Sequence, residues 1–347
     1  MCKIKLYHLF RLGILLIIIS VFGSISAAAA ESSPFTFYNS RTPLSGPCNL
    51  VDGPDGASWV AEVLAHKIAR VDPKTGKLEE FDIPTSLEVA PHLRLPLPQP
   101  ISFLCGINNG PDGRVWFTNA VSNQIGRIDP RTKKVETWRV PTRASMVEDI
   151  FPGPDHAMYF AEPASNKIGR FDLSTGKITE YSVPTIAASP IGVFAASDGG
   201  IWFPEFTGNK IGRLDVKTKK VSEFTLPTPL ATPFVLRAES HGSLWFTEFT
   251  GNKIGQIDLA TKKITEHTVP TPLSGPVSVT KSPDGNIYFD EGLANKIGEL
   301  DPSNGKISET AIPTIPGAFP EEIRFGPGNA VWFTELVTNR IGRLDLS

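Results

Sequence analysis

Seven times along the 347 residues one phrase returns with small variations: an aromatic pair, a small residue and a carboxylate, then Asn-Lys-Ile-Gly and an Asp. Its first aromatic falls at Trp59, Trp116, Tyr159, Trp202, Trp245, Tyr288 and Trp332, at intervals of 57, 43, 43, 43, 43 and 44 residues. A repeat of this length, with several short strand-like runs per unit, marks a ring of radially arranged sheets. The chain is therefore expected to be all-β, a seven-bladed β-propeller of four-stranded blades. Whatever recurs in every blade is architecture, so a site is sought where the repeats disagree.

Residues 231–272 show one unit clearly. An inner strand near Pro233–Arg237 leads to a turn at Ser240-His241-Gly242, which in other blades is Pro-Asp-Gly, as at 54–56, 111–113 and 283–285. Ser243–Glu248 is rich in aromatic and β-branched residues and reads as the second strand. A loop over Phe249–Lys253, a third strand Ile254–Asp258, a polar turn at Ala260–Lys262 and an outer strand Ile264–Val269 complete the blade. The last repeat stops after its third strand, whereas Phe35–Arg41 aligns with outer strands. The N-terminal strand is thus expected to complete the last blade, closing the ring and removing an exposed edge.

The propeller domain is placed at residues 31–347. Ahead of it, Lys3, Lys5 and Arg11 precede an apolar run from Leu12 to Phe22, and Ala28 and Ala30 suit a small-residue cleavage rule. Residues 1–30 therefore read as a secretory signal peptide, the apolar run being short for a membrane span. Removing them takes three basic residues from 34, leaving 31 against 36 acidic side chains. A net charge near −5 with no basic block argues against nucleic acid as a partner. The expected product is secreted, extracellular, free of the membrane after cleavage and monomeric. Two cysteines remain, Cys48 and Cys105, and in an oxidising compartment they suggest one disulfide or, alternatively, two buried thiols.

Strand direction defines two faces. Inner strands start at the top, and second strands return to it, so both meet at the upper mouth of the channel. The carboxylates ending the second strands, Glu62, Glu162, Glu205, Glu248, Glu291 and Glu335, with Asn119 in blade 2, recur too often to be a site and read as structural; a collar holding a hard cation is the functional alternative. The Asp ending each third strand is expected to cap the following turn. At the inner-strand starts the chemistry varies: Cys48, Cys105, Glu148, Ile191, Phe234, Val277 and Glu321. This is the expected ligand surface, with Glu321 and Glu148 as candidate proton-transfer groups and Phe234, Ile191 and Val277 as substrate contacts. A Pro-rich insertion over residues 85–103 lengthens the connection after blade 1 and reads as a lid-like loop bearing His92 and Arg94. His66 replaces the Asn of the other loops. His66 and His92 are the two histidines expected near the mouth, as candidate acids or bases.

Repeats such as Trp245-Phe246-Thr247-Glu248 followed by Asn252-Lys253-Ile254-Gly255 resemble the virginiamycin B lyase (streptogramin lyase) family over nearly the whole chain after the leader. The resemblance implies a seven-bladed propeller that opens a cyclic depsipeptide by Mg²⁺-assisted elimination across an ester. It implies a metal carboxylate at Glu335. It also implies histidines where this chain has Val277 and Glu321, and a glutamate where it has Phe319, which is taken here as a substrate contact. Two readings follow. One is a lyase-like enzyme, or a related cyclase or isomerase, acting on a cyclic ester, lactone or other secondary metabolite at the channel. The other is a non-catalytic propeller presenting Glu148, Phe234 and Glu321 to a glycan, peptide or protein.

Overall fold

The computed structural model describes residues 34–84, 103–314 and 317–346. Seven four-stranded antiparallel sheets follow one another in chain order, and six of them are built from four consecutive strands. In blade 5 these are Pro233–Ser240, Ser243–Glu248, Lys253–Asp258 and Ile264–Thr268, so the inner strand runs three residues beyond its expected end. The seventh sheet joins Phe35–Asn39 to the third strand Arg340–Asp345, with Phe35 opposite Leu344 and Asn39 opposite Arg340. The ring is closed by the N-terminal strand, as the repeat alignment anticipated. Tyr38 stacks on Trp332 at 5.5 Å, and Phe35 and Phe37 meet the edge of Phe333 at 6.0 and 6.2 Å.

The repeated residues have local physical reasons. Each third-strand glycine of Asn-Lys-Ile-Gly lies over a second-strand phenylalanine, and a Cβ there would fall 2.1–2.3 Å from the ring. Only glycine permits that approach. Blade 1 alters both partners together: Ala69 faces the smaller Val60. The aromatic that opens each second strand is buried, and at Trp59, Trp116 and Trp202 the indole N–H donates to the bottom-turn Asp at 2.9–3.0 Å. The Asp after the third strand caps its turn as expected; Asp72 accepts the Lys74 and Thr75 amides at 2.9 and 3.1 Å.

Adjacent blades are stitched at the top. The Thr228 amide and hydroxyl donate to Glu266 of the next blade at 2.9 and 2.6 Å, and Lys253 donates to the same carboxylate at 2.6 Å. The arrangement recurs at Thr142–Glu180, Thr185–Glu223 and Thr271–Glu309. The Asn of each loop adds a second stitch: Asn252 donates to the Val269 and Thr271 carbonyls and accepts the Ser274 amide. These links leave the channel axis as the place where side chains are free to differ.

Candidate active site at the channel mouth

The inner strands of blades 1, 5, 6 and 7 each carry a register shift near their first residues, between Pro47 and Leu50, Pro233 and Leu236, Pro276 and Val279, and Pro320 and Ile323. A bulge turns an extra residue towards one face. Two successive residues per blade therefore approach the axis, and the mouth has two layers where the sequence suggested one ring.

The upper layer contains the expected residues. Cys48 and Cys105 are joined by a disulfide with Cα atoms 5.5 Å apart. The cavity beneath the mouth, about 30 Å³, is lined by this bridge and by Glu148, Ile191, Phe234 and Glu321. Glu148 and Glu321 are 6% and 9% exposed. The Glu321 carboxylate lies within 4.8 Å of both sulfurs. Val277 does not line the cavity; it is buried in an apolar cluster with Phe206, Phe249, Phe319 and Leu336 that surrounds the mouth.

The second layer is charged and was not read from the sequence. Arg237 donates to Asp149 at 2.8 Å and lies 3.7 Å from Glu322, which also pairs with Arg324 and accepts the Ser278 hydroxyl at 3.0 Å. Burial, followed by the neighbouring Arg237, lowers the Arg324 pKa to about 10. Asp52 beside it is pushed up to about 6, chiefly by burial. Asp290, fully buried, is held well above its ordinary carboxylate value, chiefly by burial. Asp290 stands where blades 2, 5 and 7 have Thr118, Thr247 and Thr334, and it accepts the Ser278 amide at 2.6 Å as those hydroxyls accept theirs. That substitution was the available signal, since it breaks the repeat.

The slot two residues before each upper-ring position is left-handed in every blade: Gly46 and Gly275 fill it in blades 1 and 6, and Phe103, Met146, Ser189, Thr232 and Phe319 hold it with φ of 48–55°. A bulky side chain in the left-handed region costs on the order of 1 kcal/mol, and such strain concentrates at functional sites. Both phenylalanines pack in or against the apolar cluster.

Other expected residues lie elsewhere. His66 has φ of 55°, matching the 52–60° of the asparagines it replaces. It is half-buried in the loop joining the second and third strands of blade 1, where burial lowers its pKa, and it does not line the cavity. His92 and Arg94 fall outside the described residues, as does the insertion except Phe103. Five collar glutamates are fully buried; Glu62, Glu162 and Glu291 are raised to about 7 and Glu205 and Glu248 to about 8, by burial and then by the outer-strand glutamate of the same blade.

Glu335 differs from them. Its carboxylate accepts the Thr314 hydroxyl at 2.8 Å, the Arg340 guanidinium at 2.9 Å through two nitrogens, and the Thr338 hydroxyl. Magnesium demands several oxygen ligands in near-octahedral array. Glu335 is already neutralised by a guanidinium and saturated by hydroxyls, and among the described residues no group of three or more metal-ligating side chains includes it. The metal-ligating groups that do converge are Cys48, Cys105 and Glu321, whose sulfurs are spent in the disulfide. These residues do not fit the Mg²⁺ site that the resemblance implies.

The model of the virginiamycin B lyase family matches residues 91–276 and 259–347. A solved streptogramin B lyase is 30% identical, with 90% of this chain and 97% of that one covered and a TM-score of 0.80. Selenomethionine-substituted virginiamycin B lyase from Staphylococcus aureus is 32% identical, covering 90% and 99%, at a TM-score of 0.79. A catalytically inactive histidine-to-alanine variant of the S. aureus lyase, solved with quinupristin, is 31% identical over the same shares, at 0.80. No curated protein matches the sequence.

Proposed function

This chain belongs to the virginiamycin B lyase family, and on that premise we propose that its channel mouth takes an apolar cyclic ester or lactone and opens it by elimination. The observation that carries this reading is the pairing of two nearly buried carboxylates, Glu148 and Glu321, with an apolar rim of Ile191, Phe234, Val277 and Phe319. An apolar wall with few convergent polar groups is the usual make-up of a small-molecule site. A cavity of about 30 Å³ holds little more than one water. A macrocycle therefore seats only when Phe206, Phe234 and Phe249 swing aside, side chains whose rings now meet at 5.8 and 6.1 Å.

Glu321 acts as the base. It removes the hydrogen on the carbon α to an acyl carbonyl; that electron pair forms a carbon–carbon double bond. The bond from the β-carbon to the ester oxygen breaks, and the leaving carboxylate keeps its pair. Glu148 lines the same cavity and orients the substrate. No step is assigned to a metal. The disulfide suits an exported protein.

A second reading, binding without turnover, is favoured by Val277, an aliphatic residue where the resemblance places a histidine. Chromatography with mass spectrometry separates the two, using quinupristin, which a similar structure contains, and a panel of cyclic depsipeptides and lactones. A product of unchanged mass and shifted retention, lost in Glu321→Gln, supports elimination. Binding with no product supports the second reading. A gain of one water, or neither binding nor product, overturns the proposal.

A further inference from the structure

Blades 1 to 4 close their bottom turns with one clasp. A third-strand arginine lies 2.7–2.8 Å from the turn aspartate, as Arg213 does on Asp198. In the cleft between blades 4 and 5 a second cation enters from the neighbouring blade. Lys262 sits 4.9 Å above the Trp202 ring and 3.4 Å from Asp198. Lysines cover aromatic rings in the same way between blades 1 and 2 and between blades 3 and 4.

Blade 6 lacks both cations. Its aromatic is Tyr288, and the residue paired with it across the sheet is Glu299, where Trp202 has Arg213. Asn286 bridges the acids, donating to Glu299 at 2.9 Å and Asp284 at 3.4 Å. Among the described residues neither carboxylate has a lysine or arginine partner. The lysine of the next blade is missing for a topological reason. Blade 7 takes its outer strand from Phe35–Asn39, so the turn that would carry the lysine is not part of that sheet. What remains between blades 6 and 7 is a groove of about 630 Å³, acidic at Asp284 and Glu299 and apolar at Phe325, Leu344 and Leu346.

We propose that this groove binds an organic cation, a primary ammonium or guanidinium on an apolar stem. The charged head takes the place that arginine and lysine fill in the sister clefts, over the Tyr288 ring and between the two carboxylates, and the stem lies along the apolar wall. Charge-assisted hydrogen bonds and the ring face both favour such a head group, and the stem removes apolar surface from water. The groove is on the bottom face, so it is independent of any reaction at the mouth.

Titration calorimetry with hexylammonium chloride at pH 7 tests this, with hexanol as the uncharged control. Binding is expected for the ammonium and not for the alcohol, weakened about tenfold or more in the Asp284→Asn, Glu299→Gln double variant, equivalent to about 1.4 kcal/mol. Glu299→Arg rebuilds the sister clasp, so it is expected to raise the melting temperature and abolish hexylammonium binding. Equal binding of hexanol, displacement of the ammonium by equimolar Ca²⁺, or unchanged binding in Glu299→Arg each overturns the proposal. Circular dichroism of the variants shows whether a loss reflects the groove or the fold.

Discussion

Arg340 turns inward onto Glu335, with Nε 2.9 Å from Oε2, whereas the lysines at its place in blades 3 to 6 reach outward to a glutamate of the outer strand. The cause is the closing strand. Phe37 pairs with Gly342 in the register where Glu266 pairs with Gly255, so blade 7 offers its cation no outer carboxylate. Arg340 instead covers the Phe37 ring at 4.4 Å and neutralises Glu335.

Glu335→Ala should therefore behave as a stability variant. The carboxylate is buried while Arg340 is a quarter exposed, so losing the pair and its hydroxyl bonds costs about 1–3 kcal/mol. Urea unfolding should show that loss, and chelator or added Mg²⁺ should leave the wild-type midpoint unmoved. A midpoint raised by Mg²⁺ and returned by chelator would restore Glu335 as a metal ligand.

The disulfide links residues 57 apart. Loop-entropy arithmetic for that span gives about 4 kcal/mol. Cys48→Ser with Cys105→Ser should lower the urea midpoint accordingly while leaving far-ultraviolet circular dichroism at pH 7 unchanged. An unchanged midpoint would show that the blade stitches alone hold this side of the mouth.

The collar predicts a pH dependence. Folded-state pKa values near 7 and 8 exceed the ordinary glutamate value of 4.5, so protonated collar groups favour the folded state. That contribution is full below about pH 4.5 and is lost as pH rises through about 7 to 8. The turn aspartates shift the other way, and their contribution changes only below about pH 4. The urea midpoint should fall between pH 5.5 and 8.5. Glu248→Gln should be near neutral at the lower pH and stabilising by on the order of 1 kcal/mol at the higher. A variant that destabilises equally at both would sink this account.

Deleting residues 34–43 should destabilise far more than trimming a frayed terminus, because it strips every hydrogen bond from one edge of blade 7 and uncovers Trp332 and Phe333. Thermal unfolding and light scattering would register this as a lower melting temperature with aggregation. A monodisperse variant melting where the full chain does would argue against closure by this strand.

Seven blades, the closing strand and the turn-capping aspartates were legible because each depends on spacing within one repeat. The upper ring was legible too, since Cys48, Glu148 and Glu321 break the repeat at one matched position. Arg237 and Glu322 were not, because a bulge brings them to the axis, and bulges leave no mark in hydrophobic alternation. The anchoring of Glu335 was hidden for a different reason: it depends on Phe37, nearly 300 residues away in sequence. The left-handed backbone at Phe319 was not legible from residue type, because the matched slot is glycine at Gly46 and Gly275 but Met146, Ser189 and Thr232 elsewhere.

Closure by the first strand also fixes which way the molecule faces. Phe35 opens that strand at the bottom, where the Pro34 carbonyl accepts the Asp345 amide at 2.9 Å. A tag, fusion partner or surface linker joined ahead of Pro34 thus departs from the face opposite the disulfide and Glu321. A sensor chip that captures the protein by that end would hold every copy with its mouth turned towards solution.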